Sequence, residues 1–178
     1  FHTAAAIEAA YLKQKQTYFL PIRSYAEAEV DTFLPILSDF SKLQMVGEGL
    51  VIQILIKLAP NSVKKAVSQY IGNLKKNKEL KPEDAENIKL AEQKISKPLF
   101  SVNYRIVASA VSQFRAQEIL EGVLSSFTQF SAPLRNEFKA VKSRNPRNLV
   151  AKYIFRQFDD SQAMILGLDE LLSIFHFP

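Results

Sequence analysis

His2 and His176 are the only two histidines in a chain of 178 residues, and no cysteine accompanies them. Imidazole and thiolate are the side chains best suited to hold a transition metal or to act as base or nucleophile near neutral pH. With one histidine at each end and no thiolate, zinc sites, Fe–S ligation and cysteine catalysis are poor readings, and no cofactor is expected. His176 sits in an apolar phrase, Ile174-Phe175-His176-Phe177-Pro178, with no Ser and Asp arranged to make it a base. The five glycines, Gly47, Gly49, Gly72, Gly122 and Gly167, never assemble into GxxxxGK[ST] or GxGxxG, so no loop is expected to cradle a nucleotide phosphate. Neither GxSxG nor HExxH occurs. Glu48, Asp159, Asp160, Asp169 and Glu170 fall at turns or helix starts, where capping and the helix dipole account for them. The segment therefore reads as non-catalytic and without a small-molecule ligand.

Charge carries more information. Net charge is +5, and between residues 135 and 156 seven cations (Arg135, Lys139, Lys142, Arg144, Arg147, Lys152 and Arg156) meet a single acid, Glu137. Between residues 24 and 49 the balance reverses, with Glu27, Glu29, Asp31, Asp39 and Glu48 against Lys42 alone. A basic stripe of this kind suits DNA phosphates, anionic lipid headgroups, a neighbouring domain or plain solvation, and the residues leave these open. If the ligand is DNA, binding is expected to be weak, without sequence preference and strongly salt-dependent.

The elements that must position these residues follow from periodicity. At 47% hydrophobic and 23% charged residues, the composition is that of a globular domain able to bury roughly 70% of its unfolded surface. Leu50 to Leu58 and Phe100 to Ala108 alternate over nine residues each, predicting antiparallel strands with one buried and one partly wet face. Tyr18 to Tyr25 and Glu137 to Lys142 are weaker strand candidates. Ala116, Ile119, Leu120, Val123, Leu124, Phe127 and Phe130 predict a helix over 112–130, and Phe33, Leu34, Leu37 and Phe40 a shorter one over 30–43. The order predicts an α+β fold: a ferredoxin-like, split βαβ antiparallel sheet with helices on one face.

Residues 61–97, with nine Lys, five acids and few large apolar side chains, predict an inserted helical hairpin that projects from the sheet. After residue 143, Asn145-Pro146 opens a helix with Leu149, Val150, Tyr153, Ile154 and Phe158, followed by a short strand at 163–166 and a terminal helix at 169–175 that wants a partner surface. The expected organisation is an N-terminal helical or linker segment over 1–17, a core over 18–143, and a C-terminal helix, short strand and hinge over 144–178. No apolar run is long enough to span a bilayer. The chain opens on Phe1 and closes inside an apolar phrase, as a piece of a longer protein would.

Several phrases carry a resemblance: Tyr18-Phe19-Leu20-Pro21-Ile22-Arg23-Ser24-Tyr25, Gly47-Glu48-Gly49 with Ile52-Gln53-Ile54-Leu55-Ile56, Ser96-Lys97-Pro98, Asn103-Tyr104-Arg105-Ile106-Val107, Tyr153-Ile154-Phe155-Arg156, and the closing stretch from Met164 to Pro178. Together they resemble the accessory domain that precedes the motor in conjugative, type IV secretion-like DNA-transfer ATPases. The resemblance implies upstream transmembrane anchors, a RecA-like ATPase domain following in the same chain, assembly into a homo-oligomeric ring, and a place on the cytoplasmic side of the bacterial inner membrane. It puts the hinge to the motor at Leu171, Ile174, Phe175, His176, Phe177 and Pro178, and the catalytic residues outside this sequence. Gly167 and Leu168 depart from the family's capping Asn and Thr, which implies a weaker helix start here. The alternative is a stand-alone membrane-surface or scaffold adaptor using the basic stripe.

Overall fold

The computed structural model describes residues 6–24, 32–43, 45–77, 79 and 81–175. Its strands are β1 (Ala6–Gln14), β2 (Gly49–Leu58), β3 (Leu99–Ala110), β4 (Phe138–Lys142) and β5 (Met164–Gly167). Its α-helices are α1 (Leu34–Ser38), α2 (Asn61–Lys76), α3 (Pro82–Ser96), α4 (Gln113–Ser125), α5 (Pro146–Ile154) and α6 (Leu168–Ile174). The sheet has the order β2-β3-β1-β4, each neighbour antiparallel to the next. β1 and β2 therefore run the same way with β3 between them, which is the split arrangement expected of the sequence.

The first strand is not where the pattern puts it. Residues 6–14 are neither helix nor linker but a central strand, paired with β3 on one side and β4 on the other. Its alanines explain both the helix-like local pattern and the position. Ala is the strongest helix former, yet Ala9 and Ala10 are fully buried on opposite faces, where a small side chain lets helices approach from both sides. Residues 18–24 belong to no strand. Pro21 has no N–H to give a ladder, and the segment is fixed instead by Arg23 N–H on the Phe130 carbonyl at 3.2 Å and Asn136 N–H on the Pro21 carbonyl at 2.8 Å.

One face of the sheet carries the main core. Ala10, Leu12, Leu50, Val102, Tyr104, Ile106 and Ala108 pack against Ile36 of α1 and Ala116, Ile119, Leu120 and Val123 of α4. Phe127, Phe130 and Phe138 close this layer, with ring centroids 5.4–6.0 Å apart. α4 ends at Ser125 and tightens into a 3₁₀ turn through Phe130. The helix expected over 30–43 shrinks to α1 and a 3₁₀ turn at Phe40–Lys42, since Pro35 must stand in the first turn.

The opposite face is partly wet along β2, where Val51, Gln53 and Leu55 are half-buried and Lys57 exposed, but it is covered along β3. α5 lays Leu149 and Val150 on Ala9 and Val107, and the chain after it crosses the polar side chains of β3. α5 stops at Ile154, so Phe158 lies beyond it, 4.1 Å from the Lys57 ammonium. Ile154 and Phe155 stay exposed.

The inserted hairpin forms as expected, but it has a core of its own. Val67 and Ile71 of α2 meet Ile88 and Ala91 of α3, with Tyr18 and Phe19 packed on them and Phe19 4.7 Å from Tyr70. The terminal helix also has its partner already: Leu171 and Ile174 are buried in the main core. His2, Tyr25, Glu27, Glu29, Val30, Asp31, His176, Phe177 and Pro178 lie outside the described residues.

Candidate functional site

The seven cations of the basic stripe do not form one face. β4 has a side-chain period of two, which sends Lys139 and Lys142 to opposite sides of the sheet. Lys142 pairs with Glu121 of α4. Lys152 Nζ reaches Asp159 Oδ2 at 2.6 Å. That bond, with help from Ser161, pushes the Asp159 carboxyl down to about 2. Arg135 is half-buried in the turn before β4, lining a shallow hollow with Arg23 and Glu86. Lys139, Arg144, Arg147 and Arg156 are exposed and make no ion pair among the described residues. Arg147 and Arg156 stand at opposite ends of α5, nine residues long and hence roughly 13 Å. The two acids of the acidic stretch that are described are likewise drawn inward. Glu48 holds Arg115 at 2.6 Å, and Asp39 is buried against Lys42 and Ser126 Oγ.

The polar groups that do converge are two buried clusters that charge counting misses. Arg105, on the polar side of β3, is fully buried. Its Nε donates to Gln162 Oε1 at 3.3 Å, Nη1 to Gln53 Oε1 and the Lys152 carbonyl at 3.1 and 3.2 Å, and Nη2 to Asn103 Oδ1 and the Gln157 carbonyl at 3.2 and 2.6 Å. Guanidinium has five N–H groups, and each has an acceptor. Burial lowers the Arg105 pKa and the nearby Asp159 charge opposes this, but an arginine stays protonated. Asn103 extends the cluster, its amide donating to the Asp159 carbonyl at 2.9 Å and accepting from Asp159 N–H at 2.7 Å. The network ties the chain after α5 to the sheet and leaves no donor of Arg105 for a ligand.

The second cluster joins α3 to α6. Lys94 Nζ lies 3.0 Å from Glu170 Oε2 and donates to the carbonyls of Ile165 and Leu20 at 3.0 and 3.4 Å. Burial pulls the lysine pKa down, and Glu170 opposes this by charge and hydrogen bond. The carboxylate is fully used: Oε1 accepts Ile22 N–H at 2.9 Å and Oε2 accepts Gly167 N–H at 2.6 Å. This last bond caps α6. A Cβ at Gly167 would stand 3.1 Å from Glu170 Oε2, so glycine lets the carboxylate approach. Beside the pair is a pocket of about 80 Å³ lined by Pro21, Ile22, Lys97 and Asp169, with Lys97 Nζ bound to Asp169 at 2.8 Å.

No family model, curated protein or solved structure matches this chain.

Among the described residues no three His, Asp or Glu side chains gather as metal ligands, and no helix is long and apolar enough to cross a membrane. Of the expected hinge residues, Leu171 and Ile174 are core and Phe175 is 40% exposed, its ring 6.3 Å from Phe33. The sequence does carry one signal for the clusters. Arg105 and Asn103 stand in the middle of a long alternating strand, where a polar face crossed by later chain must be hydrogen-bonded rather than hydrated. Nothing local marks Lys94, which looks like any lysine of a basic hairpin.

Proposed function

We propose that this chain is a non-catalytic interaction domain of a membrane-associated, DNA-translocating ATPase of the conjugative, type IV secretion-like kind. The observation that supports this reading most is where the resembling phrases meet. Gln53, Asn103, Arg105 and Tyr153, from three separate phrases, share the first cluster, in which Gln53 Nε2 also donates to the Tyr153 carbonyl at 2.9 Å. Leu20, Ile22, Ile165 and Glu170, from two others, share the second. The resembling residues are thus the joints of the body, which fits a domain whose task is to hold its neighbours in a fixed geometry.

In this reading α6 is a stiff lever. Glu170 clamps it to α3 and to the segment at 20–22, so a motor domain joined to it moves with the sheet. The partners are that RecA-like domain and neighbouring copies in a ring, on the cytoplasmic side of the inner membrane. DNA contact falls to the exposed Lys139, Arg144, Arg147 and Arg156, and is weak, roughly 10⁻⁴ to 10⁻⁶ M. The alternative of a membrane-surface adaptor gains support from one end of the sheet, described below.

The test is to extend the chain through the codons that follow Pro178 and assay Mg-ATP hydrolysis beside the 178-residue chain. Hydrolysis by the extended protein alone is the expected result. Absence of a phosphate-binding loop in the extension would overturn the assignment. Fluorescence anisotropy with a labelled duplex at two salt concentrations then settles the DNA contact: binding that weakens with salt is expected, and no binding at low salt reduces the domain to a scaffold.

A further inference from the structure

One end of the sheet is apolar where it should be wet. Val46 is 97% exposed, Phe114 74%, Met45 66% and Val111 63%. They come from two turns that the register brings side by side: Gly49 of β2 faces Ser109 of β3, so the turn entering β2 adjoins the turn leaving β3. Gly47, at φ +91°, makes the sharp reversal that presents Met45 and Val46, and a Cβ on it would touch Val111 Cγ2 at 3.6 Å. Phe114 sits in the first turn of α4, off the stripe of Ala116, Ile119, Leu120 and Val123 that faces the core.

Cations flank this tip. Ala6 pairs with Ala110 at the same end, and Ala6, Ile7 and Gln113 line one hollow with Arg144 and Arg147. Neither arginine has an ion-pair partner among the described residues. The acids here are occupied: the Glu48 side chain is 1% exposed and bound to Arg115, and Glu8 accepts a hydrogen bond from Gln113.

We propose that this end of the sheet docks on an anionic lipid bilayer, with Met45, Val46, Val111 and Phe114 entering the headgroup boundary and Arg144 and Arg147 meeting lipid phosphates. Two arguments favour a bilayer over a protein partner. Four apolar side chains on two turns fall well short of the roughly 20–30 residues a side of a stable protein interface, whereas a membrane boundary accepts protruding apolar groups without shape complementarity. The positive rim complements anionic headgroups, which draw basic groups at the surface. The inference does not depend on membership of a DNA-transfer ATPase.

The test is co-sedimentation of the 178-residue chain with phosphatidylcholine vesicles, with and without phosphatidylglycerol. Binding to the anionic vesicles is expected. Val46→Ser with Phe114→Ser lowers the bound fraction about tenfold, and Arg144→Ala with Arg147→Ala removes the preference for phosphatidylglycerol. All four sites are exposed, and thermal melts of both variants confirm that the fold survives. Because the chain has no tryptophan, Phe114→Trp supplies a single reporter whose emission shifts blue on anionic vesicles. Failure of the wild-type chain to sediment overturns the proposal, as does sedimentation indifferent to both pairs of substitutions. A mass in free solution that drops from dimer to monomer in the Val46/Phe114 variant overturns it in favour of a second copy. The apolar pair is not expected to change duplex binding, so loss of DNA binding and loss of vesicle binding remain separate results.

Discussion

The side-chain amide of Gln14 stands in for a strand. Its Nε2 donates to the Ile165 carbonyl at 3.0 Å and its Oε1 accepts the Ile165 N–H at 3.1 Å, the exchange a backbone neighbour would make. β1 pairs with β3 only as far as Tyr11 against Arg105, and β5 then takes up the same lane against Leu99–Val102. Gln14 bridges the two. Gln14→Ala is expected to cost about 1–3 kcal/mol, since the Ile165 N–H loses its acceptor while the Ile165 carbonyl keeps Lys94, and Gln14→Glu, which still accepts from that N–H, is expected to cost less. Urea unfolding of the three proteins measures this.

Breaking the buried ion pair from one side is expected to be worse. Lys94→Met leaves the Glu170 carboxylate uncompensated among Ile22, Gly167 and the core, and an unpaired buried charge typically costs 3–5 kcal/mol. Lys94→Met with Glu170→Gln removes both charges, keeps an acceptor for only one of the Ile22 and Gly167 N–H groups, and should recover part of the loss. A double-mutant cycle on denaturation midpoints shows whether the two effects are coupled; simple additivity would contradict the pairing.

Tyr104 points the other way. Its hydroxyl is buried in the main core without a hydrogen-bond partner among the described residues, and burial pushes its pKa strongly upward. Tyr104→Phe removes the cost of that lone hydroxyl while keeping the edge-on contact with Phe127, at 5.2 Å between centroids. The expected change is neutral to stabilising by about 1 kcal/mol, against a loss of about 3–5 kcal/mol for Phe127→Ala. A destabilised Tyr104→Phe in thermal melts would reveal a partner for the hydroxyl.

Acid should loosen the loop after α5. Asp159 is held at about 2 by Lys152 and Ser161, below its ordinary value near 4. A carboxyl depressed by folding contributes stability that is complete above its unfolded value and lost as the pH falls from about 4 to 2. Comparing the chain with Asp159→Asn by denaturant unfolding at pH 5 and pH 2.5 isolates this group: the variant should lose less stability across that interval.

Legibility divides along the range of the forces involved. Leu50–Leu58 and Leu99–Ala110 are readable because both strands alternate and Ile52, Ile54, Tyr104 and Ile106 share one face. α4 is readable because Ala116, Ile119, Leu120 and Val123 repeat at helical spacing. β1 is not, because the partners on either side of Ala9 and Ala10 lie about a hundred residues away and local propensity favours the wrong state. The basic stripe is visible as a count and misleading as a surface, since Lys142 and Lys152 are answered by Glu121 and Asp159. Of the two buried clusters only the first leaves a local trace, in Asn103 and Arg105 midway along β3; Lys94 and Glu170 are 76 residues apart and acquire meaning only when α3 meets α6.

The shared lane of β1 and β5 also sets a timetable. On the ribosome, residues 6–142 emerge with four strands able to pair, but the stretch of β3 from Leu99 to Val102 still lacks its neighbour on one side. That neighbour, and the carboxylate that Lys94 requires, arrive only with residues 164–170, on the order of seconds later. Until then the nascent domain shows a half-open ladder and a Lys94 ammonium without its counter-charge. The segment at 164–170 is thus the latch of the domain, and the four-stranded sheet made before it waits for that latch to close.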